Sequence, residues 1–182
     1  MATAPARTPG PLGAAEFAVW ADFVLAYTRI MRLVERRLRT GTGLTWSQYD
    51  VLYNLNAEPG GRLSVSALSR TLLYSSGSAS NLITGMERSQ LVLRERAADD
   101  RRVSEIRMSD SGRAAFDAAT TLVLDVVREE FADQLGPAEL PAVAAFLQRV
   151  RERDPQLRRP PYDLPVDLEQ RATVTDGGDG GN

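Results

Sequence analysis

A change of hydrophobic period in the middle of the chain constrains the fold more than any other feature. Residues 91–96 (LVLRER) and 103–108 (VSEIRM) are short segments bounded by polar residues, which predicts two β-strands. The polar run 97–102 (AADDRR) joins them, so a hairpin with a charged tip is expected. Most other patterned segments repeat apolar residues at steps of three and four, which predicts helices. The sequence therefore predicts a mainly α fold of the α+β class.

The first helical pattern begins at Glu16 and ends near Gly41 and Gly43. Its apolar residues form one long stripe. A stripe of this length needs an apolar partner surface, which is either the core of the same chain or a second subunit. The residues of the stripe are Phe17, Trp20, Phe23, Val24, Tyr27, Ile30, Met31, Val34 and Leu38.

Three shorter helices are expected between this helix and the hairpin. Thr45 and Gln48 have the spacing of a capping box, so a second helix should begin there and end at the breaker cluster 57–61 (AEPGG). Ser64 is expected to cap a third helix. A fourth helix is expected over residues 76–89.

Two more helices are expected after the hairpin, the fifth capped by Ser109 or Asp110 and the sixth following a Gly-Pro break at 136–137. Residues 1–13 are rich in Pro, Gly and Ala, and residues 155–182 in Pro, Gly and Asp. Both segments are expected to be disordered, as an N-terminal arm and a flexible tail. One folded domain, 14–154, is expected between them.

The amino-acid composition argues against an enzyme. The chain has no Cys and no His, which excludes thiol chemistry and removes the usual general base and the commonest metal ligand. We therefore expect no catalytic residues, no metal and no cofactor. The short apolar runs and the arm without a hydrophobic core predict neither a membrane span nor a secretory signal, so a cytoplasmic protein is expected.

The distribution of charge indicates a nucleic-acid partner although the formal net charge is −2. All 22 basic residues are arginines, whose planar fork of donors suits phosphate and guanine. A GC-rich coding genome is the alternative reason for this usage. Between Arg62 and Arg107 there are eight arginines against five acidic residues. This local excess of positive charge, rather than the total, is the pattern expected of a DNA-binding surface.

The fourth helix has two different faces when its residues are placed at 100° steps. Ala79, Leu82, Ile83 and Met86 share the face expected to pack on the domain. The opposite face is polar and short-chained and carries two glycines, which is unfavourable for a helix unless another backbone approaches closely. Its residues are Gly77, Ser78, Asn81, Thr84, Gly85 and Arg88. An incidental surface helix is the alternative.

The hairpin tip carries Arg101 and Arg102, and the entering strand carries Arg94 and Arg96. Inserted arginines are attracted by the negative potential of a DNA minor groove. The acids at the tip oppose phosphate binding unless one of them orients an arginine by an ion pair. A solvated charged turn is the alternative for the hairpin alone.

These elements, in this order, resemble the MarR family of bacterial regulators. The resemblance is continuous from Leu44 to Gly112. It includes a leucine-valine-x-arginine strand, an aspartate-x-arginine wing motif and a leucine-threonine-x-x-glycine helix start. In this sequence these motifs are Leu91-Val92-Leu93-Arg94, Asp100-Arg101-Arg102 and Met108-Ser109-Asp110-Ser111-Gly112.

The resemblance implies a winged helix-turn-helix lobe, 44–109, between dimerisation helices at 14–43 and 110–154. It implies that Asp100 holds Arg102 as a minor-groove probe. A homodimer would bind a pseudopalindromic operator as a transcriptional regulator, more often a repressor than an activator. The DNA contacts expected on the recognition helix are Ser75, Ser76, Gly77, Ser78, Ser80, Asn81, Thr84 and Arg88, and those on the wing are Arg94, Arg96, Asp100, Arg101 and Arg102.

A small aromatic or anionic effector is also implied. The candidate pocket residues are Trp20, Tyr27, Arg29, Trp46, Tyr49 and Tyr53. One position departs from the family, because Gln90 stands where a glycine usually precedes the strand. Gln90 must then adopt a left-handed conformation, or the turn bends differently. A winged-helix module for protein–protein contact is the alternative function.

Overall fold

The computed structural model describes residues 11–71, 76–96 and 104–153. The expectations for residues 1–10, the hairpin tip and the tail lie outside these ranges. The mainly helical fold with one small sheet is confirmed. The helices are α1 (Ala14–Thr42), α2 (Trp46–Ala57), α3 (Val65–Thr71), α4 (Ser76–Arg88), α5 (Asp110–Glu130) and α6 (Leu140–Arg151); the strands are β1 (Arg62–Ser64), β2 (Val92–Arg96) and β3 (Ser104–Met108).

Side-chain caps fix where three of the helices begin. The Thr45 hydroxyl accepts from the Gln48 amide at 3.2 Å, and the Gln48 side chain accepts from the Thr45 amide at 2.9 Å. Ser64 accepts from the Ala67 amide at 3.1 Å, and Ser109 from the Gly112 amide at 2.9 Å. The capping box and both serine caps are therefore confirmed.

The three strands form an antiparallel sheet in the order β1-β3-β2. Leu93 lies opposite Arg107, and Arg107 lies opposite Arg62. On the other face, Val92 and Ile106 are buried in the core. The hairpin therefore has one apolar face on the domain and one charged face.

Only the second half of the α1 stripe is buried. Val34 and Leu38 pack in the core, whereas Phe17, Trp20 and Phe23 are more than half exposed. No residue of α6 is buried either. Within the described ranges, no helix is both long and apolar enough to cross a membrane.

The junction between α4, β2 and α5 is tightly packed. Gln90 has a φ of 59°, so the left-handed alternative is the one adopted. Its carbonyl accepts from the hydroxyls of Ser109 and Ser111, both at 2.5 Å. A Cβ at Gly112 would lie 1.9 Å from the Leu91 carbonyl oxygen, so α5 can start here only with glycine.

Candidate nucleic-acid interface

Helix α4 separates an apolar face from a polar face as the sequence predicts. Ala79, Ile83 and Met86 are fully buried. The opposite face is exposed except at Thr84, which is half-buried and donates its hydroxyl to the Ser80 carbonyl at 2.9 Å. The exposed residues on it are Gly77, Ser78, Asn81, Gly85 and Arg88. The structure thus places these predicted site residues together on one surface.

Neither glycine on this face is required by the packing of the chain. Among the described residues, and apart from the adjacent backbone of α4, no atom lies within 4 Å of the position that a Cβ would take at Gly77 or at Gly85. A glycine in a helix interior costs roughly 1 kcal/mol relative to alanine. Packing within the described chain therefore does not explain the two glycines. Their presence favours close approach of another molecule to this face of α4.

The two arginines of β2 differ in their ion pairs. Arg94 binds the Glu87 carboxylate of α4, with Nε–Oε1 at 3.1 Å and Nη2–Oε2 at 2.9 Å. Arg96 is exposed and has no ion pair with another residue of the described ranges. Ser76 starts α4, while Ser75, Asp100, Arg101 and Arg102 lie outside the described residues.

Glu95 connects all three strands on the charged face of the sheet. One carboxylate oxygen accepts from Arg107 Nε at 2.5 Å, and the other from Arg62 Nη1 at 2.6 Å. The hydrogen bond from Arg107 lowers the pKa of Glu95, with a further contribution from Arg62. Because Glu95 reaches from β2 across β3 to β1, it ties the hairpin to the start of the helix-turn-helix.

The structure brings some of the six predicted pocket residues together and leaves others elsewhere. Trp20 is exposed near the start of α1, and Arg29 forms an ion pair with Glu130 of α5. Tyr49 is buried, where it stacks on Phe116 with ring centroids 5.6 Å apart, and half-buried Tyr53 lies beside it. Trp46 also lies beside Tyr49, with ring centroids 5.6 Å apart, so Trp46, Tyr49 and Tyr53 form one aromatic row.

Two of the predicted pocket residues, Tyr27 and Trp46, line an open groove of about 790 Å³ between α1 and the start of α2. Its charged residues are Arg32, Arg36, Arg39 and Glu35, with Thr28, Met31, Thr40 and Ser47 between them. The Glu35 carboxylate accepts from Arg39 Nε and from the Trp46 amide, both at 2.7 Å. In the described structure Arg32 and Arg36 have no ion pair, so the groove is electropositive with two aromatic walls.

Comparison with known proteins shows which family this architecture is similar to. The model of the MarR family matches residues 42–103. AbsC, a MarR family transcriptional regulator from Streptomyces coelicolor, is similar at 27% identity over 80% of this chain and 97% of its own, with a TM-score of 0.73. The chain is therefore similar to MarR family transcriptional regulators.

A second similar structure is Sco3205, a MarR family transcriptional regulator from the same organism, solved in complex with DNA. The identity is 25% over 86% of this chain and 98% of Sco3205, with a TM-score of 0.73. A search of curated proteins found no match. The winged-helix fold predicted from the sequence is thus confirmed.

Sequence reasoning missed Glu87, Glu95 and the groove arginines. A signal for the arginines was present, because Arg32, Arg36 and Arg39 are spaced four and three residues apart and so share one helix face. The partner of Arg94 had no comparable signal, because Glu87 and Arg94 are brought together by the turn at Gln90.

Proposed function

We propose that this protein is a sequence-specific DNA-binding regulator of the MarR family. It acts as a homodimer on an inverted-repeat operator and represses transcription until a small effector releases it. The observation that carries the proposal is the outer face of α4, which is polar and has free space at both glycines. A face of that kind allows a helix backbone to lie close to base edges and phosphates.

Each residue of the interface has a chemical role in this proposal. Asn81 can pair bidentately with an adenine edge in the major groove, and Ser78 can contact a base or a phosphate. Arg88 and Arg96 are placed to contact phosphates. At the wing tip, Arg102 would enter the minor groove with Asp100 holding it, as the family resemblance implies. Supporting contacts are proposed for Ser75, Ser76, Ser80, Thr84 and Arg101.

Exposed apolar side chains support a homodimer. Phe17, Trp20 and Phe23 of α1 are 53–58% exposed, and Phe146 and Val150 of α6 are 49% and 53% exposed. Leaving this much large apolar surface in water is unfavourable. A second copy that covers both helices would remove it. Two recognition helices would then meet half-sites about 10 bp apart, one turn of DNA.

The groove beside Tyr27 and Trp46 supports a small aromatic or anionic effector. Arg32 and Arg36 supply positive charge for an acidic group, and the two aromatic rings supply apolar walls. Among structures with this fold is BpsR from Bordetella bronchiseptica, described with 6-hydroxynicotinic acid regulating its DNA binding. The effector site proposed here rests on this chain's own groove.

The test is a gel shift of the full chain on the intergenic DNA upstream of its own gene, over a salt series. Affinity should fall with salt by about 0.9 log units per phosphate contact for each log unit of salt. Asn81→Ala should weaken binding to this DNA relative to random DNA, whereas Thr121→Ala on α5 should not. Affinity that is independent of salt, or equal on random DNA, would refute the proposal and favour a protein–protein module.

A further inference from the structure

Arg94 and Glu87 form a two-pronged ion pair between the wing and the recognition helix. Arg94 Nε lies 3.1 and 3.2 Å from the two carboxylate oxygens, and Nη2 lies 2.9 Å from Oε2. Both side chains are partly exposed, at 33% for Arg94 and 29% for Glu87. This arrangement fixes the direction of both side chains and has no net charge.

An ion-pair cluster on the other face of β2 also holds this strand. Glu95, the next residue along β2, binds Arg107 of β3 and Arg62 of β1. Residues 94 and 95 therefore anchor the wing strand to α4 on one side and to the rest of the sheet on the other. Arg96 follows, exposed and with no ion pair to any residue in the described part of the chain.

We propose that Arg94 is a positioning residue that sets the angle between the wing and the recognition helix, and is not itself a phosphate contact. This inference rests on the proposed function. It revises the expectation from sequence, which treated Arg94 and Arg96 alike. The Glu87 carboxylate already takes two donor groups of Arg94 and neutralises its charge, which leaves Arg94 little attraction for a phosphate.

The two roles predict opposite effects for Glu87→Gln. If Arg94 contacts phosphate, removing the competing carboxylate should strengthen DNA binding or leave it unchanged. If Arg94 positions the wing through Glu87, the same substitution should weaken binding. We expect Glu87→Gln and Arg94→Gln each to weaken binding roughly tenfold, and the double variant to be no worse than either, as for two residues acting as one coupled unit.

The experiment measures dissociation constants by fluorescence anisotropy over a salt series. The probe is a duplex of roughly 30 bp, long enough for two half-sites one turn apart, selected by the wild-type protein from a random pool. Arg96→Gln is the matched control on the same face of the strand. It should reduce the salt slope by about one phosphate contact, whereas Glu87→Gln and Arg94→Gln should leave the slope unchanged.

Two further readouts separate positioning from a loss of folding. An ion pair at the surface contributes little to stability, so both variants should melt within a few degrees of wild type. Hydroxyl-radical footprints should show reduced minor-groove protection under the wing and intact protection under α4. Tighter binding by Glu87→Gln, or a reduced salt slope for Arg94→Gln, would overturn the inference. If wild type selects no DNA at all, the proposed function fails instead.

Discussion

Replacing Gly85 by alanine should stabilise the protein while weakening its binding to DNA. Gly85 lies inside α4, where alanine is favoured over glycine by roughly 0.8–1.0 kcal/mol. Apart from the adjacent backbone of α4, the new Cβ would have no atom of the described chain within 4 Å, so no clash offsets this gain. For a chain of this length, 1 kcal/mol corresponds to an increase in melting temperature of about 2–4 °C.

The free space beside Gly85 also predicts that the Gly85→Ala variant binds DNA more weakly. If the backbone at Gly85 lies against the duplex, the added methyl group takes space that a sugar or phosphate needs. Forcing a methyl group into a packed contact costs typically 1–3 kcal/mol, which is a loss of affinity of roughly five- to 150-fold. A change that improves folding and impairs binding would separate the two roles of this helix.

The assay combines thermal unfolding followed by circular dichroism with fluorescence anisotropy on the selected duplex. Thr121→Ala, an exposed replacement on α5, is the control because it also raises helix propensity without touching α4. It should leave the affinity unchanged. Wild-type affinity in Gly85→Ala would refute the close approach of α4 to DNA, and a lower melting temperature would refute the free space at this position.

Three other substitutions test other parts of the structure. Gly112→Ala should cost at least roughly 3 kcal/mol in the free energy of unfolding, because its Cβ would meet the Leu91 carbonyl oxygen at 1.9 Å, and near-wild-type urea unfolding would contradict this close contact. The pKa of Glu95 lies below its ordinary value of 4.5 in the folded state, so its stabilisation is present above that value and is lost as pH falls through the folded pKa. Glu95→Gln should therefore lose less stability on acidification than wild type or Glu105→Gln, and parallel pH profiles would contradict the bridge. Phe146→Asp should convert a dimer to a folded monomer in light scattering, whereas Gln148→Asp on the same helix should remain dimeric, and a dimeric Phe146→Asp would count against α6 as an interface.

Local signals in the sequence predicted much of this fold. The capping box at Thr45 and the cap at Ser109 depend on residues three apart, so spacing alone locates them. The two faces of α4 also follow from helix geometry, and the burial of Ile83 and Met86 agrees with it. The bounds of the strands were correct to within one residue because alternation and polar flanks coincide there.

Features that depend on tertiary geometry could not be predicted in this way. The α1 stripe looks uniform in sequence, yet α5 covers only its second half, so Phe17 and Val34 end in different environments. The predicted pocket residues were chosen mainly because they are aromatic. Tyr49 lies in the core on Phe116, and sequence alone does not distinguish a buried aromatic ring from one that lines a pocket. The role of Arg94 depends on the path of the chain through Gln90 and could not be read from spacing.

Hydrogen bonds to the Gln90 carbonyl connect α4 and β2 to the long helix α5. Two serine hydroxyls at 2.5 Å and the close packing at Gly112 leave little room for α5 to pivot against α4 and β2. In a homodimer, a tilt of α5 would therefore move the recognition helix α4 of the same subunit with it. We expect weak binding to operators with incorrectly spaced half-sites, because α4 of either subunit cannot reorient without its own α5.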